Sequence, residues 1–484
     1  MALSQDEADK GQRLKDLGYE QQLHRSVTTL GHLALVLSDI TPTASILVVA
    51  TAVIAVAGTS SLIPFIIGCF VAVNIAFCMG ELGSMFPVAG GLFSIVTRVL
   101  GRPIGFIAMA DYVGQAIFLP ASIAIGIGTY VHSLDTAIPE NLISGLGMIL
   151  VTIVCLFHIR FNSWLTAVCL AIELIVVTAI AVSGFTHLHQ PLSLTFHGQF
   201  LSTHGTLLAV GGAAILTAIA TSLFSVNGYD SGINFAEEVL GNAREVGRAV
   251  VTACLVGVTF ELIPFIAVIY AAPTLKGFLG SSTPFTYVAG QAWGSSFKTL
   301  VTVGALIAIF NASIAITLQF SRIVWATGRD VAWPHPISDW VGLVDKRRGA
   351  PWVATLFCGT LATILCFQGT LVSVVTFTSV LLIILYGLIA ISALVSRFKH
   401  SHLPRPSKMP LWPAPPIITL IGVVLALTQQ KASDLITVAC IFAAAIIYYF
   451  GFVAPRRGRY WVQADLEEKS EAAPPPPPSL RPAD

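Results

Sequence analysis

The chain has 484 residues, of which 55% are hydrophobic and only 11% charged, against roughly 25% charged in an ordinary soluble domain. Mean hydropathy is +0.81, and the formal net charge is +1. The composition and hydropathy exclude a soluble globular protein and point to a helical protein embedded in a lipid bilayer; the net charge says nothing about nucleic acid, but no basic face rich in aromatics appears in the sequence.

In chain order, the first 26 residues, "MALSQDEADKGQRLKDLGYEQQLHRS", are polar and charged and do not read as a cleavable signal peptide. The first span is therefore expected to act as the targeting signal. Apolar runs of about 20 residues, each enough to cross ~30 Å of hydrocarbon, predict spans at 31–57, 62–84, 104–131, 142–159, 163–186, 207–239 (interrupted), 248–271, 297–321, 353–369, 372–396, 413–429 and 433–453. The stretch 85–103 is amphipathic, carries Pro87 and Pro103, and reads as an interfacial linker. Beyond Val453 the tail turns basic, then acidic, then runs through five consecutive prolines, a composition for extended solvated coil.

Basic residues test this division. With the N-terminus inside, all Lys and Arg fall on inner segments except Lys276, Lys298 and Lys431. So one-sided a distribution predicts an even number of spans with both termini cytoplasmic. The eight cysteines lie inside apolar runs without paired spacing, so they read as small packing residues rather than disulfides or metal ligands.

Two spans are interrupted. The first contains "LSDITPTAS", in which Pro42 lacks a donor and clashes with the preceding turn. The sixth contains "SVNGYD", with Asn227, Gly228 and Asp230 amid apolar neighbours. Lipid-exposed backbone must satisfy its own hydrogen bonds, so such breaks belong where they line a cavity or are packed in protein. Their positions, five spans apart, fit a five-plus-five inverted repeat with the substrate at the discontinuities. Half-helix N–H groups suit a carboxylate and freed carbonyls suit an ammonium, so an α-amino acid matches both.

Several stretches resemble the amino acid–polyamine–organocation (APC) permease superfamily: "GELGSMFPVAGGLFSIVTRVLG" (80–101), "FSVNGYDSGINFAEEVLGNAREVGRAV" (224–250), "SRIVWATGRDVAWPHPIS" (321–338) and "LGYEQQLHRS" (17–26). The resemblance covers about residues 15–455. Two departures stand out. The glycine-rich pattern usual in the first span is replaced by Pro42-Thr43-Ala44-Ser45-Ile46-Leu47, and Val331 stands where a glycine is usual.

The resemblance implies an all-α integral membrane fold of leucine-transporter type, with 12 transmembrane helices, helices 1 and 6 broken, and two extra C-terminal helices. The corresponding segments are a tail (1–30), a first repeat (31–186), a second repeat (207–396), spans 11–12 (413–453) and a proline-rich tail (454–484). It also implies that Thr41, Pro42, Thr43, Ala44 and Ser45 meet the substrate carboxylate. Phe224, Ser225, Val226, Asn227 and Gly228 would offer carbonyls to the amine, with Phe224 or Tyr229 occluding the site. Asn311, and Thr378 or Ser379, are further candidates.

Ionisable groups within spans each ask for a role. Glu173 lies mid-span, where several proton-coupled relatives carry a lysine, and is either a proton carrier or a buried neutral acid. Asp39 either pairs with a substrate amine or caps the following half-helix. Asp111 faces either the cavity or a neighbouring helix, and Glu261 is equally open. Asp230 is expected to cap the second half of the sixth span. Glu81, Glu237 and Glu238 are expected near the cytoplasmic face, in structural or gating roles. His187, His189, His197 and His204 fall in one outer loop and read as solvated or as sensors of external pH.

No nucleophile–base pair, phosphate loop or metal motif appears in the sequence, and no cofactor is expected. The expected function is secondary active transport of amino acids or related amines by alternating access, proton-coupled or by exchange, in the plasma or inner membrane. The alternatives are a polyamine- or γ-aminobutyrate-type permease of the same fold, and a membrane sensor that binds ligand without moving it. Partners are the small-molecule substrate, a proton and the lipid bilayer, with no nucleic acid; the oligomeric state is not legible.

Overall fold

The computed structural model describes residues 27–461, apart from Ala89, Thr203 and 346–349. The N-terminal motif 17–26, most of the tail 1–30, and the acidic and proline-rich part of the C-terminal tail lie outside the described residues.

The first apolar run forms α1 (Thr29–Ile40), then α2 (Pro42–Ala44), a π-helical turn (Ser45–Val49) and α3 (Ala50–Ala57). Thr28 starts α1 by accepting a hydrogen bond from the Gly31 amide, an N-cap that satisfies one orphan donor. The remaining helices are α4 (Leu62–Met85), α5 (Gly91–Leu100), α6 (Arg102–His132), α7 (Glu140–Cys155), α8 (Ile159–Phe185), α9 (Gly212–Ser225), α10 (Ser231–Asn234), α11 (Ala243–Ala271), α12 (Leu275–Gly280), α13 (Pro284–Trp293), α14 (Ser295–Arg329), α15 (His335–Val341), α16 (Trp352–Gln368), α17 (Leu371–Lys399), α18 (Ala414–Leu427) and α19 (Ala432–Tyr448).

Helices lie on each of the twelve apolar runs. Among the described residues, seven helical stretches are long and apolar enough to cross a membrane; Thr29–Met85, 57 residues with interruptions, is one of them. α7, α9, α16 and α18 are shorter apolar helices. The long helices remain apolar on their outer surfaces, as at Ile175 (70% exposed) and Ile447 (72% exposed), which is the surface a bilayer covers.

Three expectations change. The segment 85–103 does not expose a polar face: α5 is helical, but every residue from Gly91 to Val99 is buried, because the helix is packed against α6, α10 and α17. Its apolar stripe was legible, but not the covering of its polar side. The sixth run does not begin as a helix at 207: β1 (Gln199–Leu201) pairs antiparallel with β2 (Leu207–Ala209), and α9 starts only at Gly212. Beyond the break, the run yields the four-residue α10 and turns rather than a full half-helix.

The packing of the bundle decides what surrounds the breaks. α1 and α2 lie against α8, α11 and α14, whereas α9 lies against α3, α4, α17 and α18. At one end, the chain entering α1 is bridged to the segment after α10. The Val27 amide donates to the Glu238 carbonyl at 3.1 Å, and the Leu240 amide donates to the Val27 carbonyl at 2.8 Å.

Candidate functional site

The first break is a single residue in the left-handed region, Thr41 at φ 44°, followed at once by Pro42. Proline has no N–H and therefore cannot continue the ladder to the Ser38 carbonyl. The strain is held by side chains. Thr41 Oγ1 donates to Glu173 Oε2 at 2.8 Å, and Thr43 Oγ1 donates to the Glu173 carbonyl at 2.7 Å. Asn311 Nδ2 on α14 donates to Glu173 Oε1 at 2.6 Å. Ser45 Oγ closes on the Ile40 carbonyl at 2.8 Å, and Tyr130 Oη donates to the Leu47 carbonyl at 3.0 Å. Glu173 on α8 is thus the fully buried hub joining the first break to α14.

The second break runs from Val226 to Asp230. Gly228 takes φ 115°, a conformation open to glycine and strained for other residues. A Cβ there would lie 2.6 Å from the Asp39 carbonyl carbon and from the Ile40 nitrogen. The two breaks therefore touch backbone to backbone, and a side chain at 228 would force them apart. Four residues on, a Cβ at Gly232 would meet Val36 and Val250, and the His32 ring bonds the Gly232 carbonyl at 3.0 Å. The stretch 228–232 is consequently laid along the last turns of α1.

The polar groups of this contact divide into satisfied and orphaned atoms. Tyr112 Oη donates to Asp230 Oδ2 in a short hydrogen bond, and Gln319 Nε2 donates to the same oxygen at 3.0 Å. Asp230 precedes α10, but its side chain caps nothing; the sequence-based assignment as an N-cap fails because Tyr112 and Gln319 hold the carboxylate. Tyr386 Oη donates to Asn227 Oδ1 at 2.5 Å, and the Tyr229 and Tyr386 rings sit 6.2 Å apart. Ser225 Oγ donates to Glu261 Oε2 at 3.0 Å.

Asp230 Oδ1 is buried without a hydrogen-bond partner, while the buried Asp39 carboxyl lies beside the Ser231 hydroxyl and the Tyr229 hydroxyl beside that of Tyr386. Asp39 therefore does not cap the half-helix that follows it; Thr41 occupies the cap position.

Of the other residues singled out from sequence, Pro42, Ala44, Phe224 and Val226 are buried at the breaks. Asp111 is buried and accepts from Gln115 Nε2 at 2.8 Å. Thr378 and Ser379 bond back to the carbonyls of Val374 and Val375 on their own helix. The histidine loop is the β1–β2 hairpin and its approach, where His189, His197 and His204 are exposed. Sequence reasoning missed Tyr112, Gln319, Tyr386 and Ser231. The available signal was an isolated polar residue inside an apolar run, as in "ITLQFS" and "IILYGL".

Two open grooves on the surface lie elsewhere. One of about 440 Å³ is lined by Leu174, Ile175, Thr178, Phe260 and Trp293, and another of about 610 Å³ by Pro336, Trp340 and Phe357. Neither is lined by residues of the breaks, and both linings are mainly apolar, with Thr178 in the first and Asp339 in the second as the polar side chains.

Residues 27–457 match the family model described as amino acid permease. The b(0,+)-type amino acid transporter 1 of Mus musculus is 25% identical over 408 residues, covering 80% of this chain and 79% of that protein. The glutamate/serine transporter AimA of Bacillus subtilis is 27% identical over 305 residues, covering 58% and 56%. The branched-chain amino acid permease BcaP of the same species is 22% identical over 392 residues, covering 75% and 79%. With nearly its whole described length matched, this chain belongs to the amino acid permease family, within the amino acid–polyamine–organocation superfamily.

Proposed function

We propose that this protein is a secondary active transporter that carries an amino acid or related amine across a membrane by alternating access. The observation that carries the reading is the backbone contact between the two breaks at Gly228 and Asp39–Ile40, ringed by buried polar atoms that the protein leaves unpaired. Unpaired buried polar groups are costly, and a bound polar molecule removes that cost. The relatives named above, which are transporters and permeases by name, support the same class of activity.

In this reading the chain crosses the plasma or inner membrane twelve times, with spans 1–5 and 6–10 as inverted repeats. Both ends are cytoplasmic, as the Lys and Arg distribution favours. The Thr43 and Ala44 amides at the start of the second half of the first span face a substrate carboxylate. The carbonyls around Phe224–Gly228 face its amine, with Tyr229 over the site. Glu173 ties the first break to α8 and α14 and couples a proton to their rearrangement, because changing its charge changes its bonds to Thr41 and Asn311.

Reconstitution into proteoliposomes tests this. Saturable, stereoselective uptake of an amino acid or amine is expected, and an inward proton gradient should drive accumulation. Glu173→Gln should abolish gradient-driven accumulation while leaving exchange intact. Binding without uptake would make the protein a sensor, and full accumulation by the variant would remove Glu173 from coupling.

A further inference from the structure

The last helical stretch ends in a turn loaded with arginine. α19 continues through Tyr449–Val453 and Ala454–Arg456. Of the seven long apolar stretches among the described residues, Ala432–Arg456 is the least covered by protein. In its most apolar 18-residue window 22% is buried, against 78% for Leu371–Lys399. Ile447 and Phe450 are 72% and 57% exposed. Lipid therefore lies directly against this span, and the residues that follow it sit at the level of the headgroups. Arg456, Arg457 and Arg459 stand there, all exposed. Among the described residues, none of the three forms an ion pair.

The turn is fastened from within the protein. The Arg459 and Tyr460 amides donate to the Arg456 carbonyl at 3.1 and 3.3 Å, and Gly458 turns the chain at φ 84°. Trp461, directly after it, is fully buried. Its ring lies 5.8 Å from Phe93 on α5 and 5.3 Å from Phe106 on α6, and its amide donates to the Val331 carbonyl at 3.0 Å. Arg102 Nη2 donates to the Tyr460 carbonyl at 3.1 Å. Arg456 folds back over the Phe452 ring at 4.5 Å and donates to the Phe452 carbonyl at 2.9 Å. A loose tail spreads like charges apart, whereas an anchored turn holds them together, and an anion among them relieves the repulsion. Guanidinium groups match phosphate oxygens in geometry, and basic residues beside the end of a span are drawn to anionic headgroups.

We propose that the turn Arg456–Tyr460 binds the phosphate of an anionic phospholipid, whose acyl chains lie along the exposed face of the last span at Ile447 and Phe450. This goes beyond the transport reading and does not depend on what is carried. Arg457 and Arg459 donate charge-assisted hydrogen bonds to the headgroup oxygens. A zwitterionic lipid brings its own cation, which cancels much of the attraction. Because Trp461 fastens the turn to α5, α6 and the segment after α14, occupancy of the site stabilises the bundle as a whole.

Thermal unfolding of the purified full-length protein in detergent, with added phosphatidylglycerol, phosphatidylcholine or inorganic phosphate, tests this. The melting temperature should rise by several degrees with phosphatidylglycerol and little with the other two. The double variant Arg457→Gln/Arg459→Gln should lose at least half of that rise while melting near the wild type without lipid. Arg244→Gln/Arg248→Gln, which removes two exposed arginines from the start of α11, should keep it. An equal rise with phosphatidylcholine overturns the proposal, and so does an equal rise with inorganic phosphate, which would make this a site for a free anion. A wild-type rise in the turn variant, or an equal loss in the α11 variant, overturns it as well. Should the turn variant fail to fold, the wild type is measured at high salt, where exposed charges are screened within about 3 Å. Loss of the phosphatidylglycerol effect is expected there, and its survival counts against the site.

Discussion

The buried acids at one end of the bundle and those at its centre are handled in opposite ways. At the end where the chain enters α1, every buried glutamate meets an arginine. Glu81 receives Arg397 at 2.5 and 2.9 Å, Arg405 at 2.8 Å and the Met409 amide at 2.8 Å. Glu238 binds Arg322 at 2.7 Å, and Arg322 also lies over the Phe235 ring. Glu237 binds Arg329 at 2.9 Å, and Arg329 also reaches Asp330 at 3.1 Å. In the centre the acids meet hydroxyls and side-chain amides instead. Bidentate arginine pairs fix geometry, so that end is clamped: α4 to α17, and the segment after α10 to α14. Among the described residues, the central acids make no such ion pair.

The contrast can be broken or sharpened by three substitutions, in falling order of effect. Glu81→Gln removes the charge that holds Arg397 and Arg405. Breaking one side of a buried ion pair costs about 3–5 kcal/mol, so the expected result is a large fall in melting temperature or in yield of folded protein. A variant that melts like the wild type would mean the clamped end does not carry stability.

Gly228→Ala puts a methyl group 2.6 Å from the Asp39–Ile40 backbone at φ 115°. Forced left-handed backbone costs of order 1–3 kcal/mol. The melting temperature should drop by several degrees and uptake by more than tenfold, since the methyl separates the two breaks. Unchanged uptake would show that their contact is not needed for transport.

Tyr386→Phe deletes one hydrogen bond to Asn227, worth about 1 kcal/mol. A KM raised roughly fivefold, with kcat and stability near wild type, is expected from uptake kinetics, because 1.4 kcal/mol corresponds to about tenfold in affinity. No change in KM would place Asn227 outside the site.

Much of the architecture was legible beforehand because it rests on local chemistry. Pro42 lacks a donor and Gly228 tolerates positive φ whatever surrounds them, so both breaks could be located from sequence. The apolar runs coincide with helices because a run of that length has few other ways to satisfy its backbone in lipid. The amphipathic stripe of 91–100 was also visible, but its placement was not. Its fate depended on α6, α10 and α17 closing over it, and these come from distant parts of the chain.

Candidate residues divide in the same way. Glu173, Asp39 and Asp230 stood out as carboxylates in apolar sequence, and their unusual setting was readable from position alone. What each one does was not. The sequence presents Asp39 and Asp230 as equivalent cap-like residues beside a break. Only the folded bundle brings Tyr112 and Gln319 to Asp230, Thr41 and Asn311 to Glu173, and Ser231 to Asp39. Local composition determined where the helices run and where they fail. Long-range packing alone decided which partner each buried acid meets, because a hydrogen bond between residues more than 80 positions apart exists only once the tertiary structure has placed both ends within 3 Å.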